Sequence, residues 1–321
     1  MTVATKIVKK LALQIQVGDD FEDDAMQLVP VLDGRIKQTP NLIEDESFAG
    51  NAFSDVPQRG TISVEGSIDF QVDQLSIRPI LEATMGHVES LVPGKRYIIN
   101  DHAKKLSVCI FDGIKNNRYS NIYVKSLQIS GSAEAKFTGT IEVIGMSAED
   151  RADIATFPTA APYGEFMHFH EMQGEGYFRV NTIESALTAD DDICIEDFEV
   201  TINTGFEEQF ANCSTYTLKP IFGMTAPSVE GNFKVARYTN DKFLEWLETL
   251  DRLQVEFRIQ KSPTAVILGQ IPMFILDTEL TDDDITGQNI TMTIGRNGIG
   301  AYYKNGNMEF NSPIRITVID E

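Results

Sequence analysis

The chain has 321 residues, with 48 acidic against 27 basic side chains and a formal charge of −21. This balance argues against wrapping nucleic acid or adsorbing to anionic membranes, since both draw their affinity from Lys and Arg. No apolar run approaches the ~20 residues of a spanning helix, and the scattered Cys109, Cys194 and Cys213 form no disulfide framework.

At the N-terminus Leu11, Leu13, Ile15 and Val17 alternate with Ala12, Gln14 and Gln16. A secretory core is continuously apolar, so this period of two predicts a half-buried strand and a chain that is cytosolic when made. Period-two segments follow at Thr61–Phe70, Leu106–Phe111, Ile122–Ile129, Thr138–Ile144 and Ile195–Thr204. Others lie at Gly231–Val235, Leu253–Ile259, Ala265–Ile275, Ile290–Ile294 and Ile314–Ile319. Two stretches break the alternation. Asp73–Met85 puts Ile77, Ile80, Leu81 and Thr84 on one helical face, with Pro79 in the first turn. Asn240–Leu250 predicts a second helix, capped by Asn240 or Thr239, with Phe243, Leu244, Leu247 and Leu250 as its apolar stripe. Trp246 flanks that stripe and reads as core or interface. The fold class is mainly β, with one short helix in each half.

The halves resemble each other. Leu11–Gly18 aligns with Phe198–Gly205, and Ser63-Val-Glu-Gly66 repeats as Ser228-Val-Glu-Gly231. Leu106–Phe111 matches Leu253–Ile259, and Thr138–Gly145 resembles Thr286–Gly295. Four matches in one order predict a tandem duplication of a β-sandwich or barrel-like domain. The expected division is a first domain at 1–157, a linker at 158–190 and a second domain at 191–321. The first two matches lie farther apart in the first half, which predicts a long inserted loop at 23–60. Leu42, Ile43, Phe48 and Phe53 are among its apolar residues, too many for a purely solvated linker, so an ordered partner surface is expected.

Chemistry-bearing motifs are sparse. His168-Phe-His170 with Glu175 resembles the first metal motif of the cupins, a β-barrel family, over about ten residues. A cupin draws a further histidine from a later strand, whereas His87 and His102 lie upstream, so a solvated strand pair is the stronger reading. The acidic runs Asp190–Asp192 and Asp282–Asp284 lack the ligand spacing of a calcium loop. Phosphate-loop, nucleophile-elbow and dinucleotide-fingerprint patterns are absent. The sequence predicts no enzyme and no cofactor.

Three segments carry a family resemblance. Ser63-Val-Glu-Gly-Ser-Ile-Asp-Phe70 leads into a helix ending at Ile80-Leu-Glu-Ala-Thr-Met-Gly86. Tyr119-Ser-Asn-Ile-Tyr-Val-Lys-Ser-Leu-Gln-Ile129 precedes Thr138–Gly145. Ile195-Glu-Asp-Phe-Glu-Val-Thr-Ile-Asn203 opens the second half, with Glu207 just beyond. Together they resemble the tail tube proteins of long-tailed bacteriophages, in the two-domain form, across nearly the whole chain.

The resemblance implies a structural virion protein whose inner sheets join neighbours into rings. Stacked rings would form the conduit for DNA ejection, assembled in the host cytoplasm. Two similar domains per chain imply a trimeric ring with pseudo-sixfold symmetry, or else a hexamer. Terminator and tape-measure proteins are the implied partners, and DNA passes without specific binding because an acidic lumen repels phosphate. Asp19, Asp20, Glu207 and Glu208 are candidate lumen acids, and Leu42, Ile43, Phe48 and Phe53 candidate contacts between stacked rings. The competing readings are another ring-forming tail component, such as a terminator or baseplate protein, and a cupin-like metal-binding barrel.

Overall fold

The computed structural model describes residues 9–43, 58–99, 104–113, 115–132, 135–148, 157–169, 178–183, 185–209, 218–221, 227–235, 242–263, 265–280, 288–294, 301–304, 307–312 and 314–320. The described part is mainly β, as the alternation predicts. Its first half runs β1 (Lys10–Gln16), β2 (Met26–Val29), β3 (Val31–Ile43), β4 (Gln58–Gln71), α1 (Ile77–Met85), β5 (Gly86–Ser90), β6 (Lys95–Ile99), β7 (Lys105–Phe111), β8 (Asn116–Ser132) and β9 (Thr138–Ala148). Next come β10 (Ala160–Ala161), β11 (Phe178–Thr182), β12 (Ile195–Asn203), β13 (Glu207–Gln209), β14 (Leu218–Ile221) and β15 (Ser228–Val235). The chain continues through α2 (Lys242–Thr249), β16 (Leu253–Ser262), β17 (Ala265–Leu280), β18 (Gln288–Ile294), β19 (Ala301–Lys304), β20 (Asn307–Asn311) and β21 (Arg315–Asp320).

One antiparallel sheet runs β3–β4–β9–β8–β12–β15–β18–β17, crossing from the first half to the second where β8 meets β12. The early part of β8 also carries β7, β1 and β2, which curls this end of the sheet. A second sheet runs β5–β6–β21–β17–β16–β11. The long strands β8 and β17 thus each serve three ladders. Buried residues from Leu11 to Val318 form one contiguous cluster between these layers, with Phe70, Phe198, Phe233 and Phe257 among the largest side chains.

Both helices occur within their expected ranges. Asp73 is fully buried, and its Oδ1 accepts the Leu75 and Ser76 N–H groups at 3.0 Å each, which fixes the turn leading into α1. Gly86, at φ 78°, closes it by donating to the Glu82 carbonyl. The expected stripe of α2 is corrected. Phe243 is buried and Trp246 and Leu247 pack against the core, while Leu244 and Leu250 are exposed. Leu250 sits at φ 52°, and the Asp251 and Leu250 amides donate back to the Trp246 and Leu247 carbonyls. The chain has left the helix there, so the 3.6-residue stripe ends one turn early.

The described part of the expected long loop at 23–60 is largely strand. β3 and β4 form a ladder from Val31↔Phe70 to Ile43↔Gln58, with β2 ahead of it. The repeat also changes partners. β1 pairs with β7 as β11 pairs with β16, and β3 pairs with β4 as β12 pairs with β15. By ladder position β1 therefore corresponds to β11, and β12 to β3, where the sequence match set β1 against β12. Half-buried strands share a small apolar alphabet, so local alternation alone cannot choose among them. The expected linker at 158–190 contains β10 and β11.

Candidate functional site

The long sheet has one face in the core and one polar face. Alternation sends Ile68, Ile141, Leu127, Ile129, Phe198 and Val200 into the core and the intervening residues outward. Glu65, Ser67 and Asp69 project from β4, Glu142 from β9, Gln128 and Ser130 from β8, Asp197, Glu199 and Thr201 from β12, and Glu230 and Asn232 from β15. Cross-strand register joins these into rows, Thr201 lying opposite Gln128 on one side and Glu230 on the other. By register, Thr291 and Thr293 of β18 continue the same phase beside Asn232 and Glu230. Named bases on this face are fewer: Arg35 and Lys37 on β3, and Lys234, which pairs with Glu196 at 2.7 Å.

Glu65 and Glu230 are the glutamates of the repeated Ser-Val-Glu-Gly motif, and both are exposed on this face. Gly66, next in the motif, permits the close approach of β3: a Cβ there would meet the Arg35 carbonyl oxygen at 2.2 Å. The motif thus places an acid outward and brings a neighbouring backbone against the next residue. The signal that identifies these acids is present in the sequence, as the polar phase of the strand on which the repeat falls.

The four acids singled out earlier occupy a different place. Asp19 and Asp20 are exposed in the turn after β1, and Asp19 accepts the Lys105 ammonium at 2.6 Å. Asn121 donates its side-chain N–H to the Asp19 carbonyl, which fastens this turn to β8. Glu207 is exposed at the start of β13, as Glu208 follows it in the same strand. The structure brings Asp19 and the residue before Glu207 to the middle of β8: the Tyr123 ring packs on Phe206 at 5.4 Å, and the Tyr123 phenol is pushed up by burial and by the Asp19 charge. Leu42 and Ile43 fall at the last rungs of the β3–β4 ladder, opposite Arg59 and Gln58. Phe48 and Phe53 lie outside the described residues.

A groove of about 980 Å³ lies against β3 and β4, and Glu65, Ser67 and Asp69 also line it. Asp33 to Thr39 form one wall, and the β7–β8 turn, with Lys115, Arg118 and Tyr119, forms the other. The Tyr119 hydroxyl donates across it to the Ile36 carbonyl at 3.0 Å. At its rim the Lys9 ammonium donates to Asp33 at 2.5 Å; that hydrogen bond, with the Gly34 N–H, holds the Asp33 carboxyl below its ordinary value.

His168 makes an isolated bridge with Lys136, and His170 and Glu175 lie outside the described residues. Among the described residues no group of three His, Cys, Asp or Glu could hold a metal ion, and no helix is long and apolar enough to cross a membrane. The surface is suited to presenting ordered polar side chains and open strand edges.

A family model described as phage tail tube protein matches residues 12–306. No curated protein sequence matches the chain.

Proposed function

The chain belongs to the phage tail tube protein family, and from that premise we propose that it assembles into stacked rings forming the tail conduit through which DNA leaves the capsid. The family is a structural one and assigns the chain to the phage tail. The observation that carries the finer reading is the long sheet, with one face in the core and the other polar and acid-rich. Facing a lumen, Glu65, Asp69, Glu142, Glu199 and Glu230 would repel phosphate and let a duplex slide without sticking. The two similar ladders per chain favour three chains per ring, since each chain supplies two equivalent sectors. Assembly takes place in the host cytoplasm, with terminator and tape-measure proteins as partners. Asp19, Asp20, Glu207 and Glu208, which border the middle of β8, would be further acids of the lumen. Leu42, Ile43, Phe48 and Phe53 would supply contacts between stacked rings.

Negative-stain microscopy of the purified chain tests this. Stacked rings or tubes are expected, and isolated rings should weigh three times the 35.8 kDa chain. Single closed rings that never stack would favour a terminator or baseplate role, and a protein that stays monomeric at high concentration would overturn the reading.

A further inference from the structure

The junction between the two halves gives a template for the junction between two chains. β8 is paired with β9 along one edge, while its other edge receives β7 over Asn116–Ile122 and then β12 over Ser126–Ser132. β17 occupies the matching place in the second half. The rungs agree in detail: Val64↔Gly145 and Ile68↔Ile141 in the first half correspond to Val229↔Ile294 and Phe233↔Ile290 in the second. Even an irregularity recurs. The β8–β9 ladder skips a residue between Val124 and Ser126, and the β17–β18 ladder skips one between Ile275 and Asp277. A bulge at the same rung of two ladders is unlikely to arise from strand alternation alone, because it fixes which residues change face.

The two junction edges differ in one respect. The edge of β8 beyond Ser126 is filled by β12, whereas among the described residues no strand pairs with the corresponding edge of β17 at Asp277–Leu280. Likewise β12 has β8 on its outer edge, but its counterpart β3 pairs, among the described residues, with β4 alone. Each chain therefore carries one half of the same junction at either end of its long sheet.

Resting on the ring reading above, we propose that β17 of one chain pairs antiparallel with β3 of a second copy, repeating the β8–β12 junction between chains. Transferring the internal register, in which Asn203 faces Ser126 and Thr201 faces Gln128, sets Asp277 opposite Thr39, Thr278 opposite Gln38, Glu279 opposite Lys37 and Leu280 opposite Ile36. An acidic position meets a basic one at Glu279 and Lys37. The Ile36 carbonyl, which already accepts the Tyr119 hydroxyl, keeps a second lone pair for a backbone N–H. Pairing both ends closes the sheet and leaves neither edge open, which removes the aggregation hazard of two exposed strand edges.

Paired cysteines test the register. In a Cys194→Ser, Cys213→Ser background, Lys37→Cys with Glu279→Cys should cross-link on mild oxidation of assembled particles, giving covalent species that end at three chains. The shifted pair Lys37→Cys with Thr278→Cys points its positions to opposite faces and should cross-link at least tenfold less. As a second measurement, Lys37→Glu should block assembly and adding Glu279→Lys should restore it. Particles that form without cross-linking above the shifted control, or a charge exchange that fails to restore assembly, would overturn this junction and leave the ring reading standing. A background protein that forms no particles at all would overturn the ring reading, and this junction with it.

Discussion

The Asp73 Oδ1 accepts the backbone N–H of Gly164 at 2.7 Å, tying the start of α1 to a segment 91 positions downstream. The same carboxylate accepts the Leu75 and Ser76 amides and the Ser76 hydroxyl, all in a fully buried site. A buried carboxyl is tolerable there because four donors converge on it. Asp73→Ala leaves several buried N–H groups without an acceptor and should cost about 3–5 kcal/mol in denaturant unfolding. Asp73→Asn keeps one acceptor oxygen and should cost less. Equal losses from the two would show that the second carboxylate oxygen and its charge, not the filled volume, carry the stabilisation.

At the far end of α2, Leu250 occupies the left-handed position of a closing turn that glycine fills more cheaply. It is 68% exposed, so its side chain contributes little packing. Leu250→Gly should stabilise the protein by about 1 kcal/mol, read as a rise in melting temperature. On the other face, Phe243 stacks edge-on against Trp246 at 5.4 Å and packs on Phe233 at 6.1 Å. Phe243→Ala should cost about 3 kcal/mol, whereas Leu244→Asp should stay within about 0.5 kcal/mol of the parent. A large loss from Leu244→Asp would mean that its exposed side chain is covered on assembly.

The alternating strands and both helices were legible because alternation and the helical period each report burial of one face, but β2 and β3 read as an inserted loop and β5, β6 and β11 were not read as strands. The partners of each strand were not. Leu11–Gly18 and Phe198–Gly205 match well by residue type, yet their ladder neighbours differ, because pairing depends on residues far away in sequence. The acids Glu65 and Glu230 were visible as a repeated motif, but their place on the open face follows only once β4 is seen beside β3 and β9. The stripe of α2 was overextended at Leu250 for want of a glycine to mark the stop. The bulges after Val124 and Ile275 leave no mark in local composition at all.

Gly269 and Phe257 face each other across β16 and β17, and a Cβ on Gly269 would lie 2.1 Å from the Phe257 ring. The ring itself packs on Phe198 at 4.8 Å, which limits its retreat. Gly269→Ala should therefore cost about 1–3 kcal/mol by overpacking. Adding Phe257→Leu should recover part of that loss, giving a positive coupling in a double-mutant cycle. Additive losses would show that the ring is not the obstacle.

Burial pushes the Cys109 thiol up to about 11, a shift that the nearby Arg118 charge opposes and Asp23 supports. At pH 8 its thiolate fraction is then about one in a thousand, while Cys194 is exposed. Alkylation of the folded protein at pH 8 should modify Cys194 and spare Cys109, as read by mass spectrometry of peptides. The unfolded chain releases the Cys109 proton first as pH rises, so stability should fall between pH 9 and 11. Rapid labelling of Cys109 at pH 8 would require frequent opening of β7.

The last prediction separates net charge from its placement. Glu65 and Glu230 are repeat equivalents on the open face of the long sheet, and neither is buried. Glu65→Lys with Glu230→Lys should leave folding and ring formation intact, because the core phase of β4 and β15 is unchanged. If that face lines the conduit, the substitutions place ammonium groups where a duplex must pass. Assembled particles should then retain DNA, with an affinity that drops steeply as salt rises from about 50 to 200 mM, as phosphate contacts require. Glu245→Lys with Glu248→Lys makes the same charge change on the exposed side of α2, away from the sheet. Cosedimentation of particles with short duplexes should show strong retention for the first pair and little for the second. Equal retention by both would mean that total charge alone governs binding, and the polar face would lose its claim to be the lumen.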